Sequence, residues 1–169
     1  ALENVGKAIL STSAAKAFNL AGLKAGLLAA SPDSLPALRS MPDLVGEATS
    51  HLGVIAHTAG LDGARDWIVE AQAEIEANKR LFARLVDERL PALRYEPSRG
   101  TYLAWLDCTP LGLAHPGRHF HEEARVRFNF GDDFGSQYSQ WVRVNLATAP
   151  AIIEEAVEKL GFSLPSVDS

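Results

Sequence analysis

Between Trp67 and Val86 the apolar side chains fall on one line. Trp67, Ile68, Ala71, Ile75, Leu81, Phe82, Leu85 and Val86, with Asn78 among them, recur at steps of three and four residues. That is the period of one helix face. The stripe predicts a helix of about 27 residues, where most globular helices run about 8–20. Gly60 and Gly63 bracket a turn ahead of it, Asp62 is placed to cap the helix, and Pro91 ends it. Glu74 with Asn78, and Glu76 with Arg80, stand at the i,i+4 spacing of an exposed face. A helix of this length suits a connection between two domains.

Composition narrows the rest. Over 169 residues an apolar share of 47% is enough for a sizeable core. Charged residues at 22% argue against disorder, and a net charge of −5 argues against nucleic acid as a partner. No run of about 20 apolar residues occurs, so no membrane span is expected. The lone Cys108 excludes an internal disulfide and a Cys-rich zinc site. The opening Ala1-Leu2-Glu3 shows no signal peptide.

Ahead of the long helix, Ala8–Thr12 and Ala25–Ala30 are short apolar runs bounded by Gly and Ser, which read as buried strands of an α/β sheet. Ser31-Pro32-Asp33 starts a mostly helical zone, with breaks at Pro36 and Pro42. Beyond the helix, Thr101–Leu106, Arg127–Phe130 and Trp141–Leu146 read as strands, 116–125 as a helix, and Pro150 opens a last helix that stops near Gly161. The order strand, helix, strand, strand, helix describes a small α+β unit.

Lys16 is the first candidate for chemistry. It lies between a run ending in hydroxyl residues and a Gly-containing stretch. A lysine at a strand end can form a Schiff base with a carbonyl once its pKa is lowered, and the hydroxyls of Ser11 and Ser13 suit a phosphate. By composition alone a solvated surface charge is the better reading of Lys16. His51, His57, His115, His119 and His121 match no zinc motif, and the last three read as a solvated helix face.

The segment Ser13-Ala14-Ala15-Lys16-Ala17-Phe18-Asn19-Leu20-Ala21-Gly22-Leu23-Lys24 resembles the cofactor-lysine segment of fold-type I pyridoxal-phosphate enzymes. Within these it is similar to the cystathionine β-lyase (C–S lyase) subgroup of the class I/II aminotransferases. Gly63–Trp67 and Asn78 are similar to the family's long interdomain helix. Pro97–Asp107 resembles a small-domain strand, Phe128–Gly131 with Phe134-Gly135 the loop before the last strand, and Trp141–Thr148 the final arginine segment. The five matches stand in order over nearly the whole chain.

The resemblance implies an α/β fold, the C-terminal part of a pyridoxal-phosphate-dependent transferase. Residues 1–60 would be the end of the large-domain sheet, 61–92 the interdomain helix, and 93–169 the small α+β domain. It implies pyridoxal 5'-phosphate as cofactor, Lys16 as the Schiff-base lysine that also moves the α-proton, and Ser13 and Lys24 as phosphate contacts. The wider family often has arginine at the position of Lys24, but a point charge still serves a phosphate. Arg143 would grip the carboxylate of an amino-acid substrate, for which its planar fork is matched. No metal is implied. The activity would be β-elimination of a thiolate, leaving pyruvate and ammonia, in a cytoplasmic homodimer. Open alternatives are a transaminase, a catalytically inactive small-domain binding or dimerisation fragment, and a cofactor-independent Schiff-base enzyme.

The plainer roles stay open beside these. Ser13 caps a turn, Lys24 is a surface charge, and Arg143 pairs with Glu154 or Asp107. Tyr102 and Trp105 belong to the core, and Asn129–Gly131 is a turn and not a contact. The family chain is about twice as long, with its Gly-rich phosphate segment, ring-stacking aromatic, Asn and Tyr near the ring oxygen, and pyridine-nitrogen Asp all ahead of the lysine. The expectation is therefore the C-terminal half of a longer enzyme, with the first two strands lacking their neighbours.

Overall fold

A computed structural model describes residues 5–164. The chain forms two compact units that divide between Glu70 and Ala71. In the first, β1 (Ile9–Thr12) and β2 (Leu27–Ala30) pair antiparallel, with Ile9 opposite Ala30 and Thr12 opposite Leu27. Short helices α1 (Leu35–Arg39) and α2 (Asp43–Glu47) follow, then α3 (His51–Gly63). Helix α4 (Arg65–Arg89) runs across the division.

The strands stand where the apolar runs predict them, but they are not buried. Ile9 is 54% and Leu27 61% exposed. Among the described residues β1 and β2 form a two-stranded sheet by themselves. A ribbon with no further strand beside it has little to bury these side chains against. The exposure corrects the expectation of buried strands.

Several helix boundaries differ from the sequence reading. Pro36 lies in the first turn of α1, where its missing N–H costs nothing, and Pro42 is the residue before α2. Gly60 and Asp62 lie inside α3, so Asp62 caps nothing. The cap of α3 is Ser50, whose Oγ accepts the Gly53 N–H at 3.1 Å. The long stripe forms the single 25-residue α4. Glu76 pairs with Lys79 at 2.6 Å, three residues on, and not with Arg80.

The second unit is a four-stranded antiparallel sheet in the order β3 (Arg94–Tyr95), β4 (Leu103–Asp107), β6 (Trp141–Asn145), β5 (Asn129–Phe130). Helices α5 (Pro116–Glu122) and α6 (Pro150–Ser163) complete it. The predicted order of elements holds, with β3 added and α6 running past Gly161. Alternation divides β4 and β6: Ala104, Leu106, Val142 and Val144 point inward. They meet Phe82, Leu85 and Val86 from α4, Phe120 from α5, and Ile153, Val157 and Leu160 from α6. The helix positions repeat at three and four residues, which sets one face of each on the sheet. Trp105 points to the other face and is half-buried, which corrects its placement in the core, and Tyr102 is only partly buried.

Candidate active site

Lys16 lies in the connection between β1 and β2. The Ser13 hydroxyl donates to the Ala25 carbonyl at 3.1 Å and accepts the Ala15 N–H at 3.0 Å. The first bond ties the two ends of the loop together. Inside it, Phe18 N–H reaches the Ala14 carbonyl at 3.0 Å and Leu20 N–H the Ala15 carbonyl at 2.8 Å, which winds the chain around Lys16. Asn19 (φ 54°) and Lys24 (φ 51°) both adopt left-handed backbone. Asn tolerates this region, but lysine seldom does. The ammonium groups of Lys16 and Lys24 are exposed, and neither has an ion-pair or hydrogen-bond partner among the described residues.

Helix α3 forms the floor of this loop. A Cβ at Gly53 would run into the Leu23 carbonyl oxygen, and one at Gly60 would stand 3.1 Å from the Phe18 ring. The two glycines therefore let the lysine loop lie directly on the helix. Phe18 also stacks on Trp67, with ring centroids 6.0 Å apart. His57, on the same helix face, is buried, and its Nε2 has no hydrogen-bond partner among the described residues. The periodicity of α3 carries this signal: residues 53, 57 and 60 share a face.

Arg143 lies on the outer face of the sheet in the second unit. Its cross-strand neighbours are Trp105 on β4 and Asn129 on β5. Nη2 donates to Asn129 Oδ1 at 3.0 Å, and the guanidinium carbon sits 4.7 Å from the centroid of the Phe134 ring. Nε is buried without a partner. Phe134 and Tyr138 both meet Trp105 edge to face, at 5.4 and 5.6 Å, and Trp141 stacks on it at 5.8 Å. Gly131 lets this aromatic segment fold back, because a Cβ there would collide with the Tyr138 carbonyl.

Neither Glu154 nor Asp107 pairs with Arg143. Asp107 instead accepts the Thr109 N–H at 2.9 Å. Asn129, read from sequence as a turn residue, makes the contact. The second unit therefore holds a half-buried cation gripped by a neutral amide and an aromatic ring, with no carboxylate on it among the described residues. Such charges are ordinarily paired. The histidines form no metal cluster among the described residues. His119 Nε2 instead lies 2.8 Å from the Ser163 carbonyl. An open cleft of about 820 Å³ lies between the β1–β2 ribbon and α1–α2, and neither Lys16 nor Arg143 lines it.

Taken together, a lysine in the loop of a two-stranded ribbon, a 25-residue helix and an arginine-bearing α+β unit define a class. The chain belongs to the family of aminotransferase class I and II, which it matches over residues 1–160. Among its relatives, a Mycobacterium tuberculosis protein named "Putative cystathionine beta-lyase" is 41% identical over 170 residues, covering 90% of this chain and 42% of that protein. The crystal structure of a Corynebacterium diphtheriae protein described as a "putative plp-dependent beta-cystathionase" superposes with a TM-score of 0.87 at 27% identity, covering 92% of this chain and 42% of the other. Cystalysin from Treponema denticola, whose structure contains a pyridoxal 5'-phosphate cofactor, gives 0.79 at 25% identity, covering 92% and 40%. The chain thus spans about 42% of the length of the curated relatives it matches first.

Proposed function

We propose that these residues are the C-terminal portion of a pyridoxal-phosphate-dependent C–S β-lyase of the cystathionine β-lyase type, acting on amino acids. In this reading residues 1–60 are the end of the large domain, 61–92 the connecting helix and 93–169 the small domain. The observation that carries it is Arg143, a half-buried guanidinium with an orphaned Nε and no acidic partner among the described residues. An anion completes such a group, and the planar fork matches a carboxylate. The names of the relatives support the choice of reaction.

The lysine loop fits the cofactor. Lys16 offers an exposed amine with no competing partner among the described residues, and Lys24 supplies a second positive charge in the same closed loop. When bound, pyridoxal phosphate withdraws electrons from the substrate α-carbon and makes its proton acidic. Lys16 holds the cofactor and, once released, takes the proton from that carbon. Lys24 attracts the phosphate. Ser13 closes the loop through Ala25, so toward a phosphate it acts by shaping the loop, unless its hydroxyl turns away from that carbonyl. Arg143 holds the substrate by its carboxylate, which fixes one end of the amino acid.

The test is spectroscopic and chemical. The holoenzyme containing these residues is expected to show a yellow absorbance band that borohydride bleaches and that Lys16→Ala abolishes. It is also expected to release pyruvate from cystathionine. A band that survives Lys16→Ala overturns the assignment of the lysine. Transfer of the amino group to an oxo acid without pyruvate release would make the enzyme a transaminase. A cytoplasmic homodimer belongs to the same proposal. The exposed Leu52, Ile55 and Leu61 on α3 support an assembly of two copies.

A further inference from the structure

We propose that Asn129 is the positioning residue for Arg143, and that its neutrality keeps the guanidinium charge available to the carboxylate of an amino-acid ligand. This rests on the reading of Arg143 as the carboxylate-binding arginine.

The β5–β6 register sets Asn129 directly opposite Arg143. Its Oδ1 takes one of the five guanidinium protons, at 3.0 Å from Nη2. Phe134 covers the plane of the same group at 4.7 Å. Two independent contacts thus fix the direction of the fork, and neither brings a negative charge. An arginine serving only the fold would gain more from an acid, since a carboxylate adds opposite charge and can accept two of the fork's N–H groups at once. Acids stand close by in the chain. Asp132 lies 3.5 Å from His115 and Asp107 is engaged with Thr109, and no ion pair reaches Arg143 among the described residues. An aspartate at 129 would accept the same proton with nearly the same shape. It would also cancel the charge and repel an incoming carboxylate. Asparagine gives the orientation without the cancellation.

The substitution Asn129→Asp separates these effects from mere support of the fold. Binding is read by calorimetry in the holoenzyme with two probes, 2-methylalanine and isopropylamine, which differ by one carboxylate. The expected result is that Asn129→Asp weakens 2-methylalanine by about tenfold or more and leaves isopropylamine within about twofold. Asn129→Ser, short but neutral, is expected to lose less of the preference. Arg143→Gln is the control for the underlying reading. If Arg143→Gln leaves the ratio of the two affinities at the wild-type value, Arg143 does not bind the carboxylate, and the reading beneath this inference fails. If Arg143→Gln collapses the ratio but Asn129→Asp keeps it, the role of Asn129 alone is overturned. Equal weakening of both probes by Asn129→Asp would mark a structural role and would also overturn it.

Discussion

Cys108 directly follows β4 and is fully buried, with its Sγ donating to the Leu106 carbonyl. Burial first, and the Asp107 charge second, push its thiol up from the usual 9.0 to about 12. Only the thiolate is a nucleophile, so burial keeps the chain's lone cysteine in its unreactive thiol form. The shift has a sign for stability. Above pH 9 the unfolded thiol ionises while the folded one keeps its proton, so this group's contribution is complete below about pH 9 and is lost as pH rises toward 12. Cys108→Ala is expected to flatten the alkaline fall in stability, by about 2 kcal/mol between pH 8 and pH 10.5. Urea unfolding of both proteins at the two pH values measures this. Tyr95, raised by burial and by Glu76, is present in both, so the difference isolates the thiol. Parallel losses in the two proteins would show that the thiol is not held protonated by the fold.

At the scale of elements, Asn78 joins α4 to the end of β6. Its Nδ2 donates to the Leu146 carbonyl at 2.9 Å and to the Thr148 carbonyl at 2.8 Å, and the side chain is only 4% exposed. Asn78→Leu keeps the size and removes both bonds, leaving the two carbonyls short of a donor. The cost is expected to be about 2–4 kcal/mol in denaturant unfolding, at about 1–2 per buried group. A loss under 1 kcal/mol would mean that water reaches both carbonyls. The sequence places Asn78 correctly on the apolar stripe, yet its i,i+4 spacing with Glu74 reads as an exposed pair. A polar residue inside an apolar stripe was the signal for a buried hydrogen bond. The strands and helices beyond α4 were legible because their periods of two and 3.6 follow from local geometry. The partner of Arg143 was not. That contact needs the register of β5 on β6, set by a loop whose return depends on Gly131, and no local pattern encodes it. The lysine loop was legible as a motif, whereas its floor on Gly53 and Gly60 appears only when α3 is laid against it.

At the scale of the whole molecule, the two units differ in what they bury. The cluster from Phe82 to Leu160 lies entirely in the second unit. In the first, Ala14 is the one buried apolar side chain among the described residues, while Leu52 is 69% and Leu61 70% exposed. Burial of apolar surface is the main favourable term in folding, at about 25 cal/mol per Å². Ordering each residue's backbone costs about 1–2 kcal/mol. Considered by itself, the first unit has little to set against that cost. Its hydrogen bonds close a two-stranded ribbon, which is marginal in water. Amide exchange of the 169-residue chain produced alone is therefore expected to be at least about a hundredfold faster over residues 5–70 than over the β4, β6 and α6 segments. Peptide-level exchange by mass spectrometry reads this directly. In the proposed holoenzyme, where further sheet and a second copy would cover the apolar faces, the ribbon and α3 should gain protection. The core of the second unit should change little. Equal protection of the two units in the isolated chain would mean that the first needs no such cover, and the assembly argument from its exposed apolar surface would fall.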